Sequence, residues 1–242
     1  MSVKSTLSLS IVSHGQGHLI RPLLAELAER PSFCHELILT LNVPEDESFF
    51  ADFDELPIQI LRNENPKGFG ANHNAAFKLV SGSHFVVVNP DIRLDGLQPG
   101  LLLEQLKDPR VGIAAPVVYS STGQLQDSAR RFPTLARLLS RRLTGDVGPD
   151  YQIGIIPIDV DWVAGMFMVF RTSTYHELQG FDERYFMYFE DVDLCRRLHG
   201  NGYSVMLVPS ARVIHDAQRA SRRKFRHFVW HIASAARFLA KI

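Results

Sequence analysis

The segment that decides the fold class is residues 7–41, LSLSIVSHGQGHLIRPLLAELAERPSFCHELILTL. Its start, Leu7 to Ser13, is an apolar-rich run that predicts a buried strand. From His18 to Arg30 the apolar side chains recur three and four residues apart, which predicts an amphipathic helix ended by Pro31. His35 to Leu41 predicts a second strand. A strand, a helix and a strand in this order indicate an α/β protein with a parallel sheet.

The rest of the chain continues this alternation. Further strands are predicted over Pro57 to Leu61, His84 to Asn89, Val111 to Tyr119, Asp159 to Val163, Met166 to Arg171, Tyr203 to Pro209 and Arg212 to His215. Helices are predicted from about Ala71, over Gly96 to Lys107, over Leu135 to Leu143 and from Glu190. We therefore expect one α/β domain over residues 1–218, in which helices flank the sheet.

Polar residues follow the first two predicted strands. Ser13 and His14 come at the end of the first strand, and Asn42 follows the second. Ligands of α/β proteins bind at the carboxyl ends of parallel strands, so these three residues are candidates for a binding site. Ordinary turn residues are the equally good alternative.

Two glycines precede a predicted helix in NENPKGFGANHNAAFKLV, residues 63–80. Gly68 and Gly70 would let the backbone approach a ligand, and the amino end of a helix suits a diphosphate. The spacing is neither GxGxxG nor that of a P-loop. A plain turn is the better interpretation of this stretch taken alone.

The short apolar strand HFVVVN runs directly into Asn89-Pro90-Asp91. A carboxylate at the end of a central strand would face the binding crevice. Hard oxygen ligands of this kind suit Mg²⁺ or Mn²⁺ that bridges a diphosphate. The same tripeptide is common in turns, so the metal interpretation depends on the strand before it.

Five carboxylates surround an aromatic block in GFDERYFMYFEDVDLCRRL, residues 180–198. Acids packed against aromatic rings lose hydration, which raises carboxyl pKa values toward the range useful for proton transfer. Glu190, Asp191 and Asp193 are therefore catalytic candidates. The alternative is an acidic helix start that interacts only with its own helix dipole.

Residues 120–158 are less regular and could form a lid or an acceptor loop, or a solvated excursion. Arg130-Arg131-Phe132-Pro133 lies within them. Trp162, two residues before Ala164-Gly165, could offer a stacking surface to a sugar ring. For a lone Trp, packing in the core is the more common role.

Composition indicates a soluble globular protein, with 45% hydrophobic and 21% charged residues in 242. Cys34 and Cys195 lie far apart in apolar patterns, so we expect a reducing cytosol and no disulfide framework. We find no signal-peptide pattern and no run of about 18 apolar residues.

The last 24 residues, 219–242, carry seven Lys or Arg and no acid, although the formal net charge of the chain is zero. Ser221 can cap a helix there, and we predict an apolar stripe of Phe225, Phe228, Ile232, Ala235 and Leu239. Basic residues in the first turns, including Arg222 and Arg223, favour an anionic partner such as a lipid surface or a lipid-linked diphosphate. Packing on the domain is the alternative, and both can hold. Nucleic acid is a poorer interpretation, because the rest of the chain is net acidic.

These motifs together, in this order, resemble those of the GT-A fold glycosyltransferases of family 2. The motifs are VSHGQ, GFGANHNAA, NPD, RRFP, WVAGMFMVFR, GFDERYFMYFEDVDLCRRL, VIH and RRKFRHFVWHIASAARFLA. The resemblance spans nearly the whole chain and is strongest to bacterial rhamnosyltransferases of O-antigen and related polysaccharide assembly. Two departures matter. The family usually has an aspartate after the second strand, where this chain has LTLNVPED, and DxD where this chain has NPD.

The resemblance implies an inverting, metal-dependent sugar transfer. Asp191 would be the general base, with Glu190 and Asp193 orienting it or binding the acceptor. Asp91 and His215 would hold Mn²⁺ or Mg²⁺. The residues expected to bind the nucleotide sugar are Ser13, His14, Asn42, Gly68, Gly70, Asn74, Asn89 and Asp91. Those expected to bind the acceptor are Arg131, Trp162, Gly165, Arg222 and Arg223.

The resemblance also implies the substrates. We expect transfer of L-rhamnose from dTDP-β-L-rhamnose to a polyprenyl-diphosphate-linked sugar such as N-acetylglucosamine, at the cytoplasmic face of the bacterial inner membrane. A UDP- or GDP-sugar donor is the alternative within the same fold. A non-catalytic, membrane-associated scaffold that binds a nucleotide sugar is the alternative from another class. The oligomeric state has no signature in the sequence.

Overall fold

A computed structural model describes residues 5–134, 136–137, 148–215 and 225–241. Its strands are β1 (Leu7–Ser13), β2 (Glu36–Leu41), β3 (Ile58–Arg62), β4 (His84–Val88), β5 (Ile92–Arg93), β6 (Val111–Tyr119), β7 (Ala129–Arg130), β8 (Ile158–Asp159), β9 (Trp162–Val163), β10 (Phe167–Arg171) and β11 (Ser204–His215). Its helices are α1 (Gly17–Ala28), α2 (Phe69–Phe77), α3 (Gly100–Gln105), α4 (Thr172–Glu177), α5 (Glu190–Gly200) and α6 (Phe225–Leu239), with a 3₁₀ turn at Ser48–Phe53.

Nine strands form one mixed sheet in the order β3-β2-β1-β4-β10-β6-β11-β5, with β8 paired to β11. Strands β1 to β4 are parallel to one another, as the alternation of strands and helices predicts. Strand β10 runs antiparallel to β4 and β6, so its amino end lies beside the carboxyl ends of its neighbours. As a result, the ends of β1, β2, β4, β6 and β11 and the start of β10 share one edge.

Helices cover both faces of the sheet. One apolar core holds Leu23 and Leu27 of α1 and Leu102 of α3 against one face. A second core holds Tyr175 of α4 and Leu198 of α5 against the other. These layers confirm the expected α/β class. Since the central strands are covered on both sides, strands such as β4 are almost entirely apolar, although β1 also buries Ser8 and Ser10.

Helix α6 packs beside α5 through a small third cluster that includes Phe189 and Phe238. The predicted stripe on this helix is wrong in part, because Phe228 and Ile232 are 46% and 51% exposed whereas Ser234 and Phe238 are buried. The inward face also carries polar groups that bind α5 and the loop before it. Ser234, for example, donates a hydrogen bond to the Met187 carbonyl at 2.9 Å. A purely apolar stripe could not identify this face.

Smaller differences concern boundaries. Helix α2 begins at Phe69, helix α3 begins only at Gly100, and the last two predicted strands form the single strand β11 with an irregularity between Val208 and Arg212. Most of the predicted helix Leu135 to Leu143 lies outside the described residues, as do Ser221, Arg222 and Arg223. In the described ranges no helix is both long and apolar enough to span a bilayer.

Candidate active site

The shared edge of the sheet opens into a cleft of about 520 Å³, which we call the strand-end cleft. Its volume lies in the usual range for small-molecule sites, about 300–1,000 Å³. Predicted residues that line it are His14, Asn42, Asn89 and Asp91. Other lining residues are Gln16, Lys67, Phe69, His73, Phe186, Arg226, His227 and Trp230. The carboxyl ends of β1, β2 and β4 thus meet, as the parallel order predicts.

Asn42 is the hydrogen-bonding centre of this cleft. Its Oδ1 accepts from the Lys67 backbone N–H at 2.8 Å and from Asn63 Nδ2 at 2.9 Å. Its Nδ2 donates to the Lys67 carbonyl at 2.9 Å and lies 3.2 Å from His14 Nδ1. These contacts use the whole amide, so Asn42 holds the loop before α2 in place. The exposed groups at this end of the cleft belong to His14 and Lys67.

Asp91 meets His215 because β5 pairs with the last residues of β11, placing Ile92 opposite His215. Asp91 Oδ2 lies 3.1 Å from His215 Nε2. Gln126 orients the imidazole, since its Nε2 donates to the His215 carbonyl at 3.0 Å and its Oε1 lies 2.9 Å from His215 Nδ1. An amide oxygen is an acceptor, so Nδ1 carries a hydrogen and Nε2 of the neutral ring turns a lone pair toward Asp91.

Two lone pairs that face each other require a cation between them or a proton on Nε2. The other carboxyl oxygen, Asp91 Oδ1, is buried with no hydrogen-bond partner among the described residues. The pair Asp91 and His215 therefore fits a divalent metal ion. The described ranges contain no cluster of three His, Cys, Asp or Glu side chains suited to a metal, so further ligands would have to be substrate or water oxygens.

A second cavity, of about 200 Å³, lies at the amino end of α5, and we call it the carboxylate cavity. It is lined by Arg130, Arg131, Pro133, Arg137, Asp150, Trp162, Tyr188, Phe189, Glu190, Asp191, Val192 and His231. Asp191 Oδ2 accepts a hydrogen bond from the Gly165 backbone N–H at 3.1 Å. Its Oδ1 accepts from the Val192 N–H at 2.8 Å. These two donors fix the carboxylate in the cavity wall.

A strained turn places these acids. Tyr188 and Phe189 both have left-handed backbone conformations, with φ of 70° and 67°. Non-glycine residues adopt this conformation rarely, and it persists only where packing holds it. Helix α6 supplies that packing: His227 Nδ1 lies 2.9 Å from the Tyr188 hydroxyl, and the Phe238 ring lies 5.7 Å from the Phe189 ring. The turn ends at Glu190, where α5 begins.

Burial raises the pKa of both acids in the carboxylate cavity. The pKa of Glu190 lies well above its ordinary value, because the side chain is buried and because the Asp191 charge disfavours a second negative charge. The pKa of Asp191 is also raised by burial, against the opposing effect of its backbone hydrogen bonds and of Arg130. The predicted upward shift of these acids is confirmed. It does not extend to Asp182, whose pKa is lowered by hydrogen bonds from Arg184 and Lys241.

Replacing Glu190 by Gln is expected to stabilise the protein at high pH. A carboxyl group with a raised folded-state pKa binds its proton more tightly in the folded chain, so the wild type loses stability as pH rises through that pKa. Gln removes this loss. Thermal unfolding should show a gain in Tm of at least about 2 °C at pH 9, about 1 kcal/mol for this chain length, and a smaller gain at pH 5.

The matched control for this prediction is Glu55→Gln, which changes an exposed glutamate. Its effect on Tm should be small and nearly the same at both pH values. A Glu190→Gln gain that is equal at pH 5 and pH 9 would contradict the raised pKa.

The two cavities adjoin but are not one cavity. Phe69 lines the strand-end cleft, and its ring lies 3.0 Å from the position that a Cβ on Gly165 would take. Gly165 in turn binds Asp191, which lines the carboxylate cavity. Two consecutive residues also line different cavities: Met187 lines the strand-end cleft and Tyr188 lines the carboxylate cavity. Asp91 and Asp191 therefore lie in neighbouring cavities, with Phe69 and Gly165 between them.

Asn74 and Asp193 are among the predicted site residues that line neither cavity, and their contacts are to the chain itself. Asn74 accepts from the Tyr175 hydroxyl at 2.8 Å and donates to the Phe181 carbonyl at 2.8 Å, on the far side of α2. Asp193 is buried and pairs with Arg197 at 2.9 Å and with Lys241. Asp193 lies two positions after Asp191, and two helical steps turn a side chain about 200° around the axis. It therefore anchors the end of α6.

Three further predicted residues support the site from behind. A Cβ on Gly68 would lie 2.6 Å from the Phe186 carbonyl oxygen, and one on Gly70 would lie 2.5 Å from Phe181 Cβ. These glycines admit close approach, as predicted, but to the chain's own 181–186 segment. Ser13 is buried, and its Oγ accepts from the Gln16 N–H at 3.1 Å. All three shape the cleft through packing and turns.

The residues that α6 contributes to the two cavities were not predicted from the sequence. Arg226, His227 and Trp230 line the strand-end cleft, and His231 lines the carboxylate cavity. The Arg226 guanidinium lies 5.2 Å from the centre of the Trp230 ring. A usable signal was present, because positions 227, 230, 231, 234 and 238 share one helical face and carry His, Trp, His, Ser and Phe. Helix α6 is thus a wall of both cavities.

The sheet order and the position of the site define a GT-A glycosyltransferase fold, and solved structures agree. The crystal structure of GalNAc-T7 with UDP, GalNAc and Mn²⁺ has a TM-score of 0.69 at 16% identity, covering 89% of this chain and 44% of that chain. The mannosyltransferase PcManGT from Pyrobaculum calidifontis, in complex with GDP-Man and Mn²⁺, has a TM-score of 0.66 at 16% identity, covering 98% and 65%. At this level of identity the likeness concerns the fold.

The chain belongs to glycosyltransferase family 2, since the sequence profile described as "Glycosyltransferase like family 2" matches residues 6–231. It is 32% identical over 186 residues to rhamnosyltransferase WbbL of Escherichia coli K12, covering 72% of this chain and 70% of that protein. It is 35% identical over 166 residues to the N-acetylglucosaminyl-diphospho-decaprenol L-rhamnosyltransferase of Mycobacterium tuberculosis, covering 64% of this chain and 54% of that protein. The chain thus spans about half the length of the mycobacterial relative.

Proposed function

We propose that this glycosyltransferase transfers L-rhamnose from dTDP-β-L-rhamnose, with inversion, to a polyprenyl-diphosphate-linked N-acetylglucosamine. The observation that carries the proposal is the adjacency of the two cavities, one lined by Asp91, which contacts His215, and the other lined by Glu190 and Asp191. The relatives named for rhamnosyl transfer, one of them with N-acetylglucosaminyl-diphospho-decaprenol in its name, support the choice of substrates.

The donor belongs in the strand-end cleft. Asp91 and His215 would hold Mn²⁺ or Mg²⁺ there, and such a metal ion neutralises the charge that develops on a departing diphosphate. Trp230 and Phe186 offer aromatic faces to the nucleoside, their own rings lying 4.8 Å apart. Lys67, exposed at the same cleft, adds a positive charge for the phosphates.

The acceptor belongs in the carboxylate cavity. Asp191 would accept the proton of the acceptor hydroxyl as that oxygen attacks the anomeric carbon. The hydrogen bonds from Gly165 and Val192 favour the charged form of Asp191 that a base requires. Glu190 would stay protonated beside it, since its raised pKa relieves the repulsion between two buried charges. A single displacement from the face opposite the diphosphate gives an α-linkage.

Trp162 is the proposed sugar platform. Its indole Nε1–H donates to the Arg131 carbonyl at 3.0 Å, which leaves the ring face at the cavity. Arg131 itself stacks over Tyr151, with its guanidinium carbon 5.8 Å from the ring centre. Flat apolar rings that are fixed in this manner suit the apolar face of a hexose.

Membrane contact is part of the proposal. Val229 and Ile232 are about half-exposed on α6, and this helix follows a basic segment that includes Arg222 and Arg223. Basic residues next to exposed apolar ones suit the anionic cytoplasmic leaflet, where a lipid-linked acceptor would be found.

The test is a transfer assay with purified protein, Mn²⁺ or Mg²⁺, dTDP-β-L-rhamnose and a short-chain N-acetylglucosaminyl diphosphate lipid. We expect a rhamnosylated product with an α-linkage, identified by mass spectrometry and NMR. Absence of turnover with every nucleotide sugar and acceptor of this class would refute the proposal.

The nucleobase is tested by thermal shift in the presence of Mn²⁺. We expect dTDP to raise the Tm, since a ligand at 100 times its Kd adds about 2.7 kcal/mol to stability. UDP and GDP at the same concentration should raise it less. Greater stabilisation by UDP or GDP would favour the alternative donor. No stabilisation by any of the three would contradict a nucleotide site in the strand-end cleft.

A further inference from the structure

Two arginines of the carboxylate cavity have no place in the chemistry described so far. Arg130 lies on the β7–β9 ribbon directly opposite Trp162. Opposite residues of an antiparallel pair project from the same face, so Arg130 and the proposed sugar platform lie side by side. Arg137 lines the same cavity from the segment that follows Pro133.

Both arginines have a buried donor group without an acceptor. Arg130 forms an ion pair with Asp127 at 2.6 Å through one terminal nitrogen, but its Nε is buried and lacks a hydrogen-bond partner among the described residues. One terminal nitrogen of Arg137, Nη1, is also buried and lacks a hydrogen-bond partner among the described residues. Leaving a buried charged donor unsatisfied is costly, and a bound ion is one of the explanations for such a group in a native protein.

The acids of the cavity do not supply the missing acceptors. Asp191 accepts its hydrogen bonds from the backbone of Gly165 and Val192. Glu190 Oε2 is itself buried without a partner. Asp127, which pairs with Arg130, also has both carboxyl oxygens buried without a hydrogen bond among the described residues, so Arg137 is the arginine with no carboxylate partner of its own there. Its free donor points to an anion from outside the chain, and oxygens of phosphate groups match the planar fork of Arg.

We propose that Arg130 and Arg137 bind the diphosphate of the lipid-linked acceptor. This inference rests on the proposed function, and it names a subsite for the part of the acceptor that is not sugar. The diphosphate is attached to the anomeric carbon of the same sugar whose hydroxyl must reach Asp191, so both groups have to enter one cavity. The donor's diphosphate would be bound in the neighbouring cleft, through the metal ion that Asp91 and His215 would hold.

The test compares two soluble acceptors at saturating donor: N-acetylglucosamine α-diphosphate carrying a short alkyl chain, and the uncharged octyl glycoside of N-acetylglucosamine. Neither requires a membrane, so a phospholipid headgroup cannot account for the result. The KM for the donor is measured separately, at a fixed concentration of the diphosphate acceptor. We expect Arg137→Gln to raise KM for the diphosphate acceptor about tenfold, because a charge-assisted hydrogen bond is lost. The KM for the uncharged acceptor and the KM for the donor should change less than about twofold.

Arg21→Gln is the matched control. Arg21, like Arg130, pairs with a single carboxylate, Asp52, but it lies on α1 away from both cavities. Its KM values should stay at the wild-type level. Arg137→Lys keeps the charge without the fork and should give an intermediate KM for the diphosphate acceptor. Arg130→Gln should raise the same KM and also change kcat, because Arg130 lies near Asp191.

The outcomes separate this inference from the proposed function. If the wild type transfers sugar but Arg137→Gln affects both acceptors equally, or raises the KM of the donor instead, the diphosphate subsite is wrong and the activity stands. If the wild type does not use the uncharged acceptor at all, the subsite is judged from the KM for the diphosphate acceptor. A KM that is highest in Arg137→Gln, intermediate in Arg137→Lys and at the wild-type level in the control supports the subsite, and equal KM values in all three contradict it. A lack of wild-type turnover with any acceptor overturns the function itself.

Discussion

Replacing Asp191 by Asn is expected to lower kcat/KM by about 10²–10⁴, the usual contribution of a general base. Asn keeps the shape of the side chain and one acceptor for the Gly165 N–H, but it cannot take a proton from the acceptor hydroxyl. The raised pKa of Asp191 gives this prediction a pH dependence. Wild-type kcat/KM should rise with pH through the ionisation of Asp191, at a pH above the ordinary aspartate range near 4.

Two variants control this result. Asp52→Asn removes a surface carboxylate that pairs with Arg21, and it should leave kcat/KM unchanged. Glu190→Gln should retain more activity than Asp191→Asn, because Glu190 is proposed to act in its neutral form. If Asp191→Asn stays within about threefold of wild type while Glu190→Gln is inactive, the base is Glu190. Far-UV circular dichroism confirms that each variant is folded.

Replacing Asp91 by Asn is expected to lower activity by about 10² or more, comparable to the loss of one electrostatic stabiliser of a leaving group. The Asn amide can donate a hydrogen bond to the lone pair of His215 Nε2, so the contact with β11 survives. The substitution removes the negative charge that would hold the metal. The Mn²⁺ concentration for half-maximal activity should rise, and Mn²⁺ binding in the presence of dTDP, followed by electron paramagnetic resonance, should weaken in parallel.

Asp95→Asn is the matched control for Asp91→Asn. Asp95 lies four residues later and forms an exposed ion pair with Arg212 at 3.0 Å. Its backbone is left-handed, with φ of 45°, a conformation that Asn tolerates well. We expect wild-type Mn²⁺ dependence from this variant. A metal response of Asp91→Asn that equals the wild type would show that Asp91 is not a ligand.

Several parts of the site follow from sequence because they depend on local rules. The apolar strand His84 to Val88 ends just before Asn89-Pro90-Asp91, so a parallel sheet has to bring Asp91 to the ligand edge. Acids after an aromatic block predict a buried helix start, and α5 begins at Glu190. The direction of the Asp193 side chain could also have been predicted, because two positions along a helix cannot share the face of Asp191.

Other parts depend on contacts between distant segments. Gln126 orients His215 across 89 residues, and Lys241 reaches Asp193 across 48. Such contacts cannot be predicted from the local sequence. The free donors of Arg130 and Arg137 are likewise invisible in the sequence, because whether an arginine has a partner depends on the packing around it.

The sequence by itself determined the α/β class and the family, and it predicted that ligands bind at the strand edge and that Asp91 and Asp191 are the two central acids. Hydrophobic periodicity and strand order are properties of neighbouring residues, and they suffice for these results. Only the tertiary structure decided that the acids occupy two adjoining cavities, that α6 forms a wall of both, and that Asn74 and Asp193 face elsewhere. Those outcomes depend on how side chains far apart in the chain fill space together, and close packing of the whole molecule sets that arrangement.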